Sequence, residues 1–198
     1  MSIEPVLTAF EIVKSGSHVY ADCSKSSRLS FGGFAPYTIE ALIRPSNVEG
    51  PKTIAGRFNG SVEAEYALFL RDGLVSSYRN VEPWALDSKT PVSAGEIHHI
   101  ATSYDGSSTL SIHIDGKLDC STDKFTSQPS ASSTPMTIGC VFSQGVPTDF
   151  FDGEIFEIRV WNICLSHDQL SSYLRPLESA PGLVAQYKLM ELPPDMTI

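Results

Sequence analysis

Between Gly95 and Leu174 the chain carries two closely spaced Asp-Gly pairs, Asp105-Gly106 and Asp115-Gly116, set among β-branched and aromatic residues, with a third Asp-Gly at Asp152-Gly153. Asp-Gly supplies the positive φ angles that tight hairpin turns need, so the segment reads strand, turn, strand, turn, strand. A further strand and one short capped helix follow. A chain punctuated this way is confined to antiparallel all-β folds, and residues 109–114 are expected to pair antiparallel with residues 98–104.

Alternation along the chain extends the pattern. Strands are predicted near residues 6–13, 18–21, 37–44, 53–58, 66–71, 74–79, 98–104, 109–114, 136–141, 154–161 and 183–189. In the strand at 109–114, Leu110, Ile112 and Ile114 share one face while Thr109, Ser111 and His113 share the other. In the strand at 154–161, Glu157, Arg159 and Trp161 fall on a single face, which either opens to solvent or holds a Glu157/Arg159 pair. The helix is predicted near 166–174: Ser166 and Gln169 have capping-box spacing, Leu170, Tyr173 and Leu174 form its apolar stripe, and Pro176 ends it. The Ser/Pro-rich stretch 127–135 reads as an exposed connector, and nothing marks a repeat or an interdomain linker.

These segments carry a family resemblance. Ile97-His98-His99-Ile100-Ala101-Thr102-Ser103-Tyr104-Asp105-Gly106, followed by Ile112-His113-Ile114-Asp115-Gly116, resembles the hallmark of laminin-G-like jelly rolls in the concanavalin A-like superfamily, to which pentraxins are related. Residues 153–170 match a second element of that pattern, Tyr37 through Pro45 an upstream strand, and Gly182 through Leu189 a closing strand. Ile97 and Leu42 stand where tryptophans are usual, apolar exchanges that a core absorbs. The resemblance implies one domain over residues 1–198, folded as a two-sheet jelly-roll sandwich. It further implies non-catalytic recognition of a carbohydrate or glycoconjugate through rim loops, the use to which this fold is most often put.

Composition fits one folded domain and narrows its partners. The 198 residues are 41% hydrophobic and 19% charged, which excludes a disordered chain. A net charge of -9, with scattered Lys and Arg, argues against nucleic acid and anionic membranes. No apolar run approaches a membrane span, and the first residues lack a basic region and apolar stretch of signal-peptide type. The expected location is therefore cytoplasmic, or outside the cell by a non-classical route. Cys23, Cys120, Cys140 and Cys164 lack metal-ligand spacing and are expected as buried reduced thiols. The cysteine that pentraxins place in the hallmark strand is Ala101, so their disulfide does not carry over.

The candidate chemistry lies in the loops. His98 and His99 are strand neighbours pointing to opposite faces and cannot chelate one ion together. Ser166-His167-Asp168 opens a helix, where capping accounts for it better than a triad. Glu154 and Glu157 fall on opposite strand faces, whereas Glu63 and Glu65 could share one, about 7 Å apart, a separation that suits an inverting glycosidase. By resemblance, a calcium and ligand site would draw on the loops at 57–65 and 140–152: Asn59, Glu63 and Glu65 from the first; Ser143, Gln144, Asp149 and Asp152 from the second. The acidic cluster expected after Gly139 is instead Cys140-Val141-Phe142-Ser143, which argues against calcium. Trp84, in a turn-rich loop beside Tyr78 and Arg79, either packs back on the sheet or offers a platform for the apolar face of a sugar. The Asn59-Gly60-Ser61 sequon is expected to be silent without a signal peptide.

The leading expectation is therefore a lectin-like site drawn from Asn59, Glu63, Glu65, Tyr78, Arg79, Trp84, Gln144, Asp149 and Phe151, with no cofactor expected, calcium the sole candidate, and self-association compatible with the fold. The alternative is an enzyme acting on a small apolar metabolite or glycan. Its pocket would be lined by Trp84, Tyr78, Phe142 and Phe151, with Arg57, Arg79, Glu63 or Glu65 as polar partners. A protein-interaction module is a third reading.

Overall fold

In a computed structural model, residues 5–60, 63–173, 180–192 and 194 are described. In chain order the strands are β1 (Glu11–Ser15), β2 (His18–Asp22), β3 (Tyr37–Pro45), β4 (Pro51–Asn59), β5 (Glu63–Arg71), β6 (Leu74–Arg79), β7 (Ala85–Pro91), β8 (His98–Tyr104), β9 (Leu110–Ile114), β10 (Lys117–Thr122), β11 (Thr137–Ile138), β12 (Val141–Ser143), β13 (Val146–Thr148), β14 (Gly153–Trp161) and β15 (Leu183–Lys188), with one helix, α1 (His167–Ser171), between the last two. Among the described residues they form two sheets. One runs β1-β2-β11-β4-β5-β6-β7, with the β12–β13 hairpin attached through β4; the other runs β10-β9-β8-β3-β14-β15.

The hairpins explain the second sheet. Asp115 and Gly116 both adopt positive φ (50° and 74°), the requirement of a two-residue turn whose twist matches its strands. The β8–β9 connection differs: Gly106 takes φ 83°, while the Asp105 carboxylate accepts the N–H groups of Ser107, Ser108 and Thr109. β8 and β9 pair antiparallel, Ile100 opposite Ile114 and Tyr104 opposite Leu110, as the sequence requires. Ile39, Ile43, Ile100, Ile112, Ile158 and Val160 face Ile54, Leu68, Leu70 and Ile138 in one buried core. Burial of this apolar surface, at about 25 cal/mol per Å², is what holds two sheets face to face.

Part of the strand pattern differs from the sequence reading. β7 and the β12–β13 hairpin fall outside the predicted strands, β10 is the strand implied after the Asp115-Gly116 turn but given no bounds, and the strand predicted at 136–141 is shortened to β11, with only Val141 passing into β12. β7 and β10 end their sheets, alternate weakly and carry Asp, Lys, Ser and Thr on exposed positions, the composition that keeps sheet edges from pairing with other chains. The segment predicted at 6–13 first joins β15 through a Leu7–Ala185 bridge and only then enters β1. The helix is shorter than predicted, but its capping box is formed: Ser166 Oγ accepts from Gln169 N and Gln169 Oε1 from Ser166 N. Leu174 and Pro176 lie outside the described residues. Glu157 and Arg159 are paired at 2.7 Å.

Candidate functional site

The residues picked out from the sequence are distributed over four places. Arg57, Glu65 and Arg79 are interior, at 2%, 1% and 0% exposure. Glu65 accepts hydrogen bonds from Phe31 N, Ser30 Oγ and Ser132 N and lies 3.6 Å from Arg57 Nε. Arg57 donates to Ser26 O and Ser132 O, while Arg79 lies over the Tyr104 ring at 3.8 Å and donates to Gly33 O. These three side chains fasten the loops at 24–36 and 127–135 over one end of the sandwich. They have no rim to present to a ligand. The Glu63/Glu65 carboxylate pair is thereby dissolved: Glu63 is exposed, Glu65 is committed to the interior.

Asn59, Gln144 and Asp149 gather around the β12–β13 hairpin. Asn59 Oδ1 accepts from Gly145 N at 2.8 Å, Gln144 turns the hairpin at φ 52°, and Asp149 Oδ1 accepts from Thr148. A calcium ion requires six to eight oxygens, several of them carboxylate. Here the Asn59 amide oxygen is already used, and among the described residues no three His, Cys, Asp or Glu side chains converge on a point. The residues present do not fit the calcium site that the resemblance implied.

Phe151 packs against the main core and lines an apolar groove of about 310 Å³ with Ile12, Val19, Tyr20 and Met190, beside β1 and β2. Trp84 lies between β6 and β7, at the other end of that sheet. Four strand spacings separate β2 from β6, about 19 Å. The pocket of Trp84, Tyr78, Phe142 and Phe151 envisaged for an enzyme is therefore not assembled. Tyr78 is half-buried, its ring 5.1 Å from Phe58 and its hydroxyl donating to Asn80 Oδ1, and burial raises its pKa. Phe142 packs edge-on against Tyr20.

Trp84 itself does not pack back on the sheet. It is 47% exposed, whereas Trp161 is 1% exposed. Its backbone adopts φ 72°, tied by Trp84 N donating to Val81 O and Trp84 O accepting from Arg79 N. The indole borders an open recess of about 390 Å³ that also takes in Glu82, Pro83, Lys124, Thr126 and Ser127. The last three come from beyond β10, on the opposite sheet, and flank the buried Phe125, whose N–H donates to Ser108 O and whose carbonyl accepts from the Tyr104 hydroxyl; the sheet edges beside them are joined by Asp119. Its carboxylate accepts from Lys89 N (2.6 Å) and Thr90 N (3.1 Å), joining the β10 edge to the β7 edge. Burial alone would raise the Asp119 pKa, but the bonds from Thr90 and Lys89 outweigh it and hold the carboxyl below its ordinary value. Sequence reasoning found the indole and missed its neighbours. Without β7 and the contact between its edge and that of β10, nothing placed 124–127 beside 82–84.

This two-sheet topology has relatives. Residues 15–171 match the model of the Laminin_G_3 family, described as the concanavalin A-like lectin/glucanases superfamily, and the chain belongs to that family. Among solved structures, a Bacteroides ovatus protein described as carbohydrate binding superposes with a TM-score of 0.67 at 19% identity, over 91% of this chain and 48% of its own. This chain thus spans about half the length of that relative. The CBM40 domain of the Ruminococcus gnavus IT-sialidase bound to alpha2,3 sialyllactose gives 0.60 at 18% identity, over 71% of this chain and 83% of its own. A heptameric SAP-like pentraxin from Limulus polyphemus gives 0.56 at 14% identity, over 82% and 78%. Among curated proteins none matches in sequence. At these identities the likeness is one of fold.

Proposed function

We propose that this domain binds a carbohydrate, without transforming it, in the recess beside Trp84. The observation that carries the reading is the exposed indole with Lys124, Thr126, Ser127 and Glu82 around it. A pyranose offers an apolar C–H face to a ring and hydroxyls to polar neighbours; here the indole takes the first, and an ammonium, two hydroxyls and a carboxylate take the second. The sialyllactose bound by the Ruminococcus CBM40 domain, and the description of the Bacteroides relative as carbohydrate binding, are consistent with it. Because the calcium donor set is not assembled, binding should not depend on calcium. Trp84→Ala, titrated with the glycans that a screen of the intact domain returns, should lose about 1–3 kcal/mol of affinity at unchanged melting temperature. Unaltered affinity, or affinity abolished by a chelator, would refute the reading.

A further inference from the structure

The outer face of the second sheet carries a cluster that the carbohydrate site does not use. α1 and the turn after it lie across β8, β9 and β14, where Leu170 (0% exposed) joins Trp161, Ala101 and Leu165 in a separate apolar cluster. Two aromatic stacks hold this cap. The His99 ring lies flat against Tyr173, with centroids 4.2 Å apart and planes 3° apart; the His113 ring stacks under His167 at 6.0 Å and 23°. His99 and His113 are 3% and 4% exposed, and Nδ1 of each has no hydrogen-bond partner among the described residues. Arg159 donates to the Tyr173 carbonyl, completing the attachment.

Charge around the cluster is unevenly shared. Glu40 on β3 accepts from Trp161 Nε1 with one carboxylate oxygen and faces His99 Nε2 at 3.1 Å with the other. From β14, Glu157 is engaged with Arg159 and Gln186. On the β9–β10 turn, Asp115 is engaged with His98 and the His99 N–H. α1 contributes His167 and, in its first turn, Asp168. His113 is thus a buried imidazole whose closest aromatic neighbour is another imidazole. Burial first, then His167, then His99, push its pKa down to about 4.

We propose that the α1 cap is an acid-released clasp: protonation of His113 beneath His167 detaches α1 and Tyr173 from the sheet and uncovers Leu165, Leu170 and Trp161. An imidazolium at His113 would sit buried, with its Nδ1 unpartnered and a second imidazole stacked on it; lifting the cap returns it to water. The sign follows from linkage. A histidine whose pKa is lower in the closed than in the open form favours closure above about 6.5 and favours opening as pH falls from there toward 4. The His98–Asp115 pair acts in the opposite sense, since that bond raises the pKa of His98. It fastens the β9–β10 turn to the start of β8, and does not tie α1.

Amide exchange of the whole chain between pH 7.5 and 4.5, corrected for intrinsic rates, tests this at the Leu170 N–H, which donates to Ser166 O. Protection there should fall by up to about tenfold per pH unit below 6.5, the slope of one linked proton, while β3 amides stay protected. His113→Gln should flatten the dependence. Should that variant fold poorly, His167→Gln at an exposed position should compress the dependence by letting His113 titrate nearer its ordinary range. Exchange at Leu170 that ignores pH, loosens only together with β3, or keeps its full dependence in both variants would overturn the clasp.

Discussion

Glu65 and Arg57 face each other at 3.6 Å in the interior of a rim that the sequence suggested was open. Around that pair the chain closes two loops which have no strand to pin them: one carboxylate collects Ser30, Phe31 and Ser132, and one guanidinium collects the carbonyls of Ser26 and Ser132. Glu65→Ala should therefore destabilise the domain by about 3–5 kcal/mol, because it leaves a buried guanidinium uncompensated. Chemical denaturation measures this. A loss below about 1 kcal/mol would mean that water readily enters this end of the sandwich.

Asp119→Asn tests how the recess is assembled. The variant keeps the shape of the side chain but weakens a charge-assisted clasp on two N–H groups, so a stability loss of about 1–2 kcal/mol is expected. Glycan affinity should fall with Trp84 untouched, since Lys124, Thr126 and Ser127 hang from that edge. Full affinity in a destabilised variant would show that the 124–127 segment is positioned without the clasp.

The same carboxylate sets a pH limit. Its pKa is lowered in the folded state, so its contribution is fully present above the unfolded value near 3.9 and is lost as pH falls through the lower folded value. Asp105 and Asp115, also lowered, add to the same acid-side loss. Burial opposes the shift in both, and is outweighed by bonds from Ser107 and the following N–H groups in one, and from His98 and His99 N in the other. The gap between the denaturation midpoints of wild type and Asp119→Asn should thus begin to narrow below pH 4 and go on narrowing as the pH falls further. A gap of constant size from pH 7 down to acid unfolding would assign the variant's defect to something other than charge.

Thiol labelling of the native protein should find one reactive cysteine. Cys23, Cys120 and Cys140 are buried, with burial raising the thiol pKa of Cys120 to about 11 and of Cys140 to about 12. Cys164 is exposed, where a buried thiol was expected, and burial of its sulfur raises its pKa to a smaller extent. Mass spectrometry after alkylation at pH 8 should show a single adduct on Cys164, and four after unfolding without reductant. Two or fewer would indicate a disulfide.

The fold was legible wherever alternation and turn chemistry agreed. β8, β9 and β14 each have a buried face, and the Asp115-Gly116 turn sets Ile114 of β9 opposite Lys117 of β10, so local pattern and final pairing coincide. β7 was illegible, and so was the extent of β10 beyond its turn, for the complementary reason: an edge strand is held by its neighbour's backbone and by a side chain such as Asp119, neither of which imposes periodicity on its sequence. The site inherited that blindness. Trp84 stood out as an aromatic residue among turn formers, but its companions are brought in by a contact between two sheets. Glu65 and Arg79 misled because charge suggested surface, and only the surrounding carbonyls and N–H groups make their burial tolerable.

The backbone of Trp84 has one further consequence. A residue other than glycine at φ 72° carries a conformational cost, and here it is met by hydrogen bonds on both its N–H and its carbonyl. The ring therefore stands on a frame settled when the chain folds, with only two side-chain torsions left to freeze. A loop that had to order itself around a sugar would surrender about 1–2 kcal/mol for every residue it fixed, most of what one stacked ring returns. For the carbohydrate site proposed above, a platform set in advance would let an open recess hold a sugar through few contacts.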